Sequence, residues 1–281
     1  MTAIVLYGLR ESLRRRMFLV VLLLTAAFLS LYAYGTKQAF EDTRGFVGVE
    51  ENLDTDVLAG AIVFGLALFG TMFLGAVLAV FLTLNVVRGD AEAGLLQPLV
   101  VRPIGRAQLL LARFAGAAAV CVVYVVAVYA ALVAITWWAG RWTPDRLVVP
   151  GLEIAAAVVV VAAICVLGSV FLTATANGIA ALMVFGGGLL AGLLGEIGDV
   201  IDSPRLESIA RTAWWFLPFD ALYQDALHRL TADTTGFASY VLRLGPFGGA
   251  HAAGSTLLLW SIVYLALVCG AAVALFSTRD L

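Results

Sequence analysis

The chain has 281 residues, 62% of them hydrophobic and 13% charged, with a net charge of -2 and a mean hydropathy of +1.01. Soluble domains carry about 25% charged residues, so this chain cannot hide its apolar surface in one water-soluble core and belongs in a membrane. It has no basic tract for nucleic acid. Its three scattered cysteines (Cys121, Cys165, Cys269) and two isolated histidines (His228, His251) argue against a disulfide framework or a zinc site.

Residues 1–16 precede the first apolar run. Val5, Leu9 and Leu13 recur at i, i+4 and i+8, Ile4 and Leu6 widen that face, and Arg10 and Arg14 lie on another. The pattern predicts an amphipathic helix on the membrane surface, with Arg10, Arg14, Arg15 and Arg16 at the interface. The rival reading is a cleaved signal peptide with Ala33 and Gly35 at the cut. The apolar run is longer than the usual stretch of about 7–15 residues in such signals.

A spanning helix needs about 20 apolar residues. Six stretches qualify, at roughly 17–35, 57–87, 108–139, 152–175, 179–195 and 255–276. The second and third are long enough to project beyond the bilayer. The fifth is short and rich in glycine. The expected fold is all-α: one polytopic membrane domain over 1–281 with six transmembrane helices.

Charge sets the orientation. With the N-terminus in the cytoplasm, the inner segments hold nine cations (Arg10, Arg14, Arg15, Arg16, Arg88, Arg102, Arg106, Arg113, Arg279) and four acids (Glu11, Asp90, Glu92, Asp280). The outer segments hold eight cations and fifteen acids. Inner cations cluster near the span ends, as the positive-inside rule requires. Both termini and residues 88–107 are then cytoplasmic, and the expected location is the cytoplasmic membrane. Residues 36–56 read as an acidic, solvated outer loop. Residues 196–254 form a longer outer segment with Trp214, Trp215, Phe216 and Phe219 for the headgroup zone. Leu222, Ala226 and Leu230 share a helical face, so one or two short helices are expected on or in the outer leaflet.

Several chemistries are missing. The single lysine, Lys37, is not in a GxxxxGK[ST] setting, so the chain does not bind ATP through a P-loop. HExxH, GxSxG and a helix-opening GxGxxG are absent. No convergent polar side chains for a lipid-modifying enzyme are evident. Ionisable residues are scarce within the spans: Glu153 lies near one end of the fourth and Glu196 just past the fifth. That scarcity argues against a self-powered ion-coupled carrier and suits a path for something apolar or amphipathic. Gly60, Gly65, Gly70 and Gly75 recur along span two. In span five, Gly188, Gly192 and Gly195 suit close packing within the subunit, or a dimer seam or the path, Gly188 and Gly192 forming a GxxxG.

The inner excursion reads RGDAEAGLLQPLVVRPIGRAQLLLARFAG, residues 88–116. Asp90 and Glu92 suit the start of a short helix, where the dipole favours anions. Leu95, Leu96 and Leu99 give it an apolar edge. Pro98 bends or ends it, and Pro103 holds Arg102 extended. The chain then turns at Gly105 and re-enters the membrane at Arg106. A compact helix presenting leucines and acids suits docking to another protein; a solvated loop with positive anchors is the alternative.

These residues resemble the membrane subunits of type-2 ABC transporters, including the branch of nitrous-oxide-reductase accessory permeases. Glu92, Gly94, Leu96, Leu99, Pro103 and Arg106 fall on that family's pattern, and Leu95 stands where its threonine is usual. The N-terminal surface helix is similar to the family's elbow helix, WFLPFDALYQDAL to its segment between the last two spans, and FSTRDL to its tail. The resemblance implies that Asp90, Glu92, Gly94, Leu95, Leu96, Leu99, Arg102, Pro103 and Arg106 form a coupling segment. That segment would seat in a separate ATPase subunit, which supplies ATP and Mg2+ chemistry. It also implies two permeases with two ATPases, a non-catalytic role for this chain, spans one and five near a two-fold axis, export rather than import, and a possible tie to cofactor maturation.

Overall fold

A computed structural model describes residues 16–45, 55–84, 105–144, 146–230 and 254–278. These residues form eight helices: α1 (Arg16–Gly45), α2 (Thr55–Thr83), α3 (Arg106–Gly140), α4 (Val148–Phe171), α5 (Ala174–Val200), α6 (Pro204–Phe216), α7 (Pro218–Leu230) and α8 (Gly254–Ser277). Six of them, all but α6 and α7, are long and apolar enough to cross a membrane. In hydrocarbon every backbone polar group must bond within the chain, and a helix does this along its own length. The molecule is an all-helical, multi-pass membrane protein.

Helix ends follow local chemistry. Arg141 adopts the left-handed conformation (φ 54) and its N–H donates 3.0 Å to the Trp137 carbonyl, closing α3. Pro204 and Pro218 open α6 and α7, where their missing N–H costs nothing. Pro218 also keeps Leu217 out of helical geometry, which separates the two short helices.

The span limits differ from the sequence expectation in two places. α1 continues to Gly45, so residues 36–45 are helical rather than loop; Lys37 and Glu41 pair at 3.7 Å on that extension. The fourth span ends at Phe171, and the fifth starts at Ala174 and runs 27 residues, so it is not short. Leu172 and Thr173 are extended and reverse the chain between them. Thr175, expected at the end of the fourth span, and Asn177, expected between the two, therefore lie at the start of α5, and Asn177 is buried by a partner on α4.

α4 is the central helix and packs on α2, α3, α5, α7 and α8. The core joins Phe64, Leu68 and Met72 of α2, Cys121 and Val125 of α3, Ile154 and Val158 of α4, and Phe219 and Leu222 of α7. Two hydroxyl pairs tie α1 to α3: Thr25 Oγ1 to Tyr124 OH and Tyr32 OH to Thr136 Oγ1, each 2.6 Å. The outer faces of α1, α5 and α8 carry exposed leucine, isoleucine, valine and methionine, the surface that lipid or another apolar partner solvates.

Candidate coupling and gating sites

The alternating course of the spans places Leu84 and Gly105 at one end of the bundle and α6 and α7 at the other. Asp90, Glu92, Gly94, Leu95, Leu96, Leu99, Arg102 and Pro103 lie outside the described residues, as do Arg10, Arg14 and Arg15. Arg16 opens α1 and Arg106 opens α3.

At the end holding residues 84–105, the last described residue of the α2 side is Leu84. It packs on Gly178 of α5: a Cβ placed there would stand 2.8 Å from Leu84 Cδ2. The neighbouring Asn177 turns to α4, where its Nδ2 donates to the Cys165 carbonyl at 2.9 Å. Gly168 of α4 leaves room for the Asn177 amide, since a Cβ there would collide with its Oδ1. Two consecutive residues thus lock α5 to both α2 and α4, immediately beside the excursion.

At the opposite end, α7 packs into the bundle. Eleven of its thirteen residues are buried, including Asp220, Gln224 and Asp225. α7 lies inside the protein against α4, and Phe219, expected in the headgroup zone, stacks on Phe185 at 5.4 Å. Trp215 and Phe216 of α6 do remain exposed.

Polar side chains converge around α7, contrary to the sequence reading. Arg229 donates from Nε and Nη2 to Asp225 Oδ2, at 2.9 and 2.8 Å. The same Nε is 2.9 Å from Glu153 Oε1 on α4. Its N–H is aimed at Asp225, so neither oxygen of Glu153 receives a hydrogen bond and the contact is ionic. The bond to Asp225 and both carboxylates hold the guanidinium above its already high ordinary value, against some loss from burial. Beside this group, Gln224 Nε2 donates to Asp220 Oδ2 at 2.9 Å. Burial pushes the Asp220 carboxyl well above the usual range, with hydrogen bonds from Trp214 and Gln224 pulling the other way. Burial likewise raises the Tyr223 phenol, and the Asp220 charge adds to it.

Sequence reasoning missed this group because Glu153 and Arg229 are on different helices far apart in the chain. The one local signal was Asp225 and Arg229 at i, i+4, together with charges on a helix that is otherwise apolar. The glycines expected at a dimer or path seam face α6 and α7 of the same chain. A Cβ on Gly188 would strike Phe219, one on Gly192 would stand 2.5 Å from Asp220 Oδ2, and one on Gly195 would stand 2.8 Å from the Ala210 Cβ. Gly186 and Gly187 face open space. Among the described residues, no three His, Cys, Asp or Glu side chains come together as metal ligands.

The family model described as ABC-2 family transporter protein matches residues 2–281. No curated protein matches the chain.

Proposed function

The chain belongs to the ABC-2 transporter family, and from that premise we propose that it is the permease subunit of an ATP-driven exporter whose ATPase is a separate polypeptide. ABC-2 permeases are membrane transport subunits that generally work with an ABC ATPase. In the proposed complex two copies of this chain meet two ATPases in the cytoplasmic membrane, with both termini inside. ATP and Mg2+ belong to the ATPase, and this chain is not an enzyme. The scarcity of ionisable residues within the spans suits an apolar or amphipathic cargo, and a tie to cofactor maturation rests on the resemblance to the nitrous-oxide-reductase accessory branch.

The single observation that carries the reading is the family match over residues 2–281, which takes in the 88–107 excursion. Closure of the ATPases would push on Asp90, Glu92 and the leucines that follow. The Leu84–Gly178 and Asn177–Cys165 contacts would pass that push to α5 and α4. Both helices reach α7, which must shift for anything to leave through that end of the bundle. With Gly188, Gly192 and Gly195 facing inward, a dimer contact of the fifth span would use its open side at Met183, Gly187 and Leu190.

The test is co-expression with an ABC ATPase, sought first in the neighbouring reading frame. The two chains should copurify and show substrate-stimulated hydrolysis. Glu92→Arg or Gly94→Trp should abolish the stimulation while expression persists. Transport by the chain alone in proteoliposomes, driven by an ion gradient without ATP, would overturn the proposal.

A further inference from the structure

Arg229 faces two acids with one positive charge. Its Nε and Nη2 both donate to Asp225 Oδ2, and its Nε stands 2.9 Å from Glu153 Oε1. The Glu153 and Asp225 side chains are 1% and 2% exposed. Two carboxylates and one guanidinium leave one negative charge in excess, out of reach of water. The neighbouring elements do not supply its counterpart. α2, α5 and α8, which also pack on α4, contain no lysine, arginine or histidine. From α3, Tyr129 acts on Glu153, and a neutral phenol brings no positive charge. His228, the other base on α7, is not among the groups that act on Glu153.

Hydrogen bonding shows the same shortfall. Among the described residues neither Glu153 oxygen receives a hydrogen bond, because the Arg229 Nε–H is aimed at Asp225. Yet the Glu153 and Asp225 carboxyl groups stand within hydrogen-bonding reach of each other. Two ionised carboxylates are acceptors only, and at that range they repel. One proton between them turns the contact into an O–H···O bond and cancels the surplus charge. Acids held together away from water take this course, since a buried unmatched charge is far more costly.

We propose that Glu153 and Asp225 share one proton while α7 is seated against α4, and release it when α7 moves away. On separation Arg229 stays bonded to Asp225 on its own helix, so Glu153 is the acid that ionises and its proton passes to water. Arg229, with a side chain 20% exposed, marks the way out. The seated pair thus binds one proton more than the separated pair. Rising pH therefore favours separation, and acid holds α7 in place. The movement of α7 rests on the transport reading proposed above; the shared proton does not.

The test uses the full chain in nanodiscs. Asp220 is a second buried acid on α7, so Asp220→Asn is the background throughout. At about pH 7 ordinary carboxyl groups are ionised, and the infrared spectrum should still contain the C=O band of a protonated carboxyl group. Glu153→Gln should remove that band, and Asp225→Asn, made separately in case the first variant folds poorly, should do the same. Hydrogen exchange of residues 218–230, corrected for the intrinsic effect of pH on exchange, should speed up at least tenfold between about pH 5 and 9. With Glu153→Gln it should stay slow and flat, because the amide N–H serves Asp225 at every pH. A band that is absent, or that survives both substitutions, would overturn the shared proton. A band that behaves as expected over an exchange rate indifferent to pH would overturn its release. Failure of an ABC ATPase to copurify would count against the transport reading alone and leave both measurements standing.

Discussion

Arg229 Nε stands 2.9 Å from Glu153 Oε1, joining the short helix α7 to the central span α4. The same guanidinium gives two hydrogen bonds to Asp225 on its own helix. One cation therefore serves two buried carboxylates and fastens α7 to a spanning helix.

Removing the shared cation should cost more than removing one acid. Arg229→Met takes the shared cation away from both buried carboxylates, a loss of about 3–5 kcal/mol. Glu153→Gln leaves the Arg229–Asp225 bonds in place and should cost less. Thermal unfolding of the two variants in the same nanodiscs checks the order. Equal or reversed losses would show that the α4–α7 bridge is not organised around Arg229.

Asp220 predicts a pH dependence. Its folded value is raised by burial above its unfolded value of about 3.9. The protonated side chain therefore contributes stability fully below about pH 4, and that contribution is lost as pH rises through the folded value. Asp220→Asn keeps an acceptor for Gln224 and removes the titration. The wild-type melting temperature should fall relative to the variant as pH climbs from about 4 to 9. Parallel profiles would remove Asp220 from this account.

The two sides of α5 should respond oppositely to an added methyl group. Gly192→Ala drives a Cβ into Asp220 and Gln224 and should cost about 1–3 kcal/mol, as overpacking does. Gly187→Ala meets nothing within 4 Å and should be neutral or stabilise by up to about 1 kcal/mol through helix propensity. Melting temperatures of the two proteins decide it. A large loss at Gly187 would mean that its open face is packed against something, such as a second copy.

On the proposed coupling route, Asn177→Leu should lower substrate-stimulated ATP hydrolysis several-fold while the ATPase still copurifies. The variant removes the donor to the Cys165 carbonyl, so α5 and α4 no longer move as one. Ser30→Ala, on an exposed part of α1 where the hydroxyl bonds only the Ala26 carbonyl, serves as the control. Unchanged stimulation in Asn177→Leu would mean that the push travels by another path.

The sequence by itself determined the class and the number of spans. An apolar run of some twenty residues admits one solution in lipid, because the backbone must satisfy itself. It also called for one or two short helices between the last two spans, from the shared face of Leu222, Ala226 and Leu230. It could not decide what those helices touch. Nothing local assigns a partner to Asp220, Asp225 or Arg229, and only the fold reveals that Glu153 waits on α4 beside the cation. Gly188, Gly192 and Gly195 read as a seam of unknown partner, and only the fold assigns them to the chain's own α6 and α7. The break between α4 and α5 was misplaced for the same reason. Hydropathy scores Asn177 as a polar interruption, whereas the tertiary contact with Cys165 makes it a buried helical residue. Periodicity and hydropathy report each helix against its solvent, but pairing between remote helices depends on where the whole chain has been folded to.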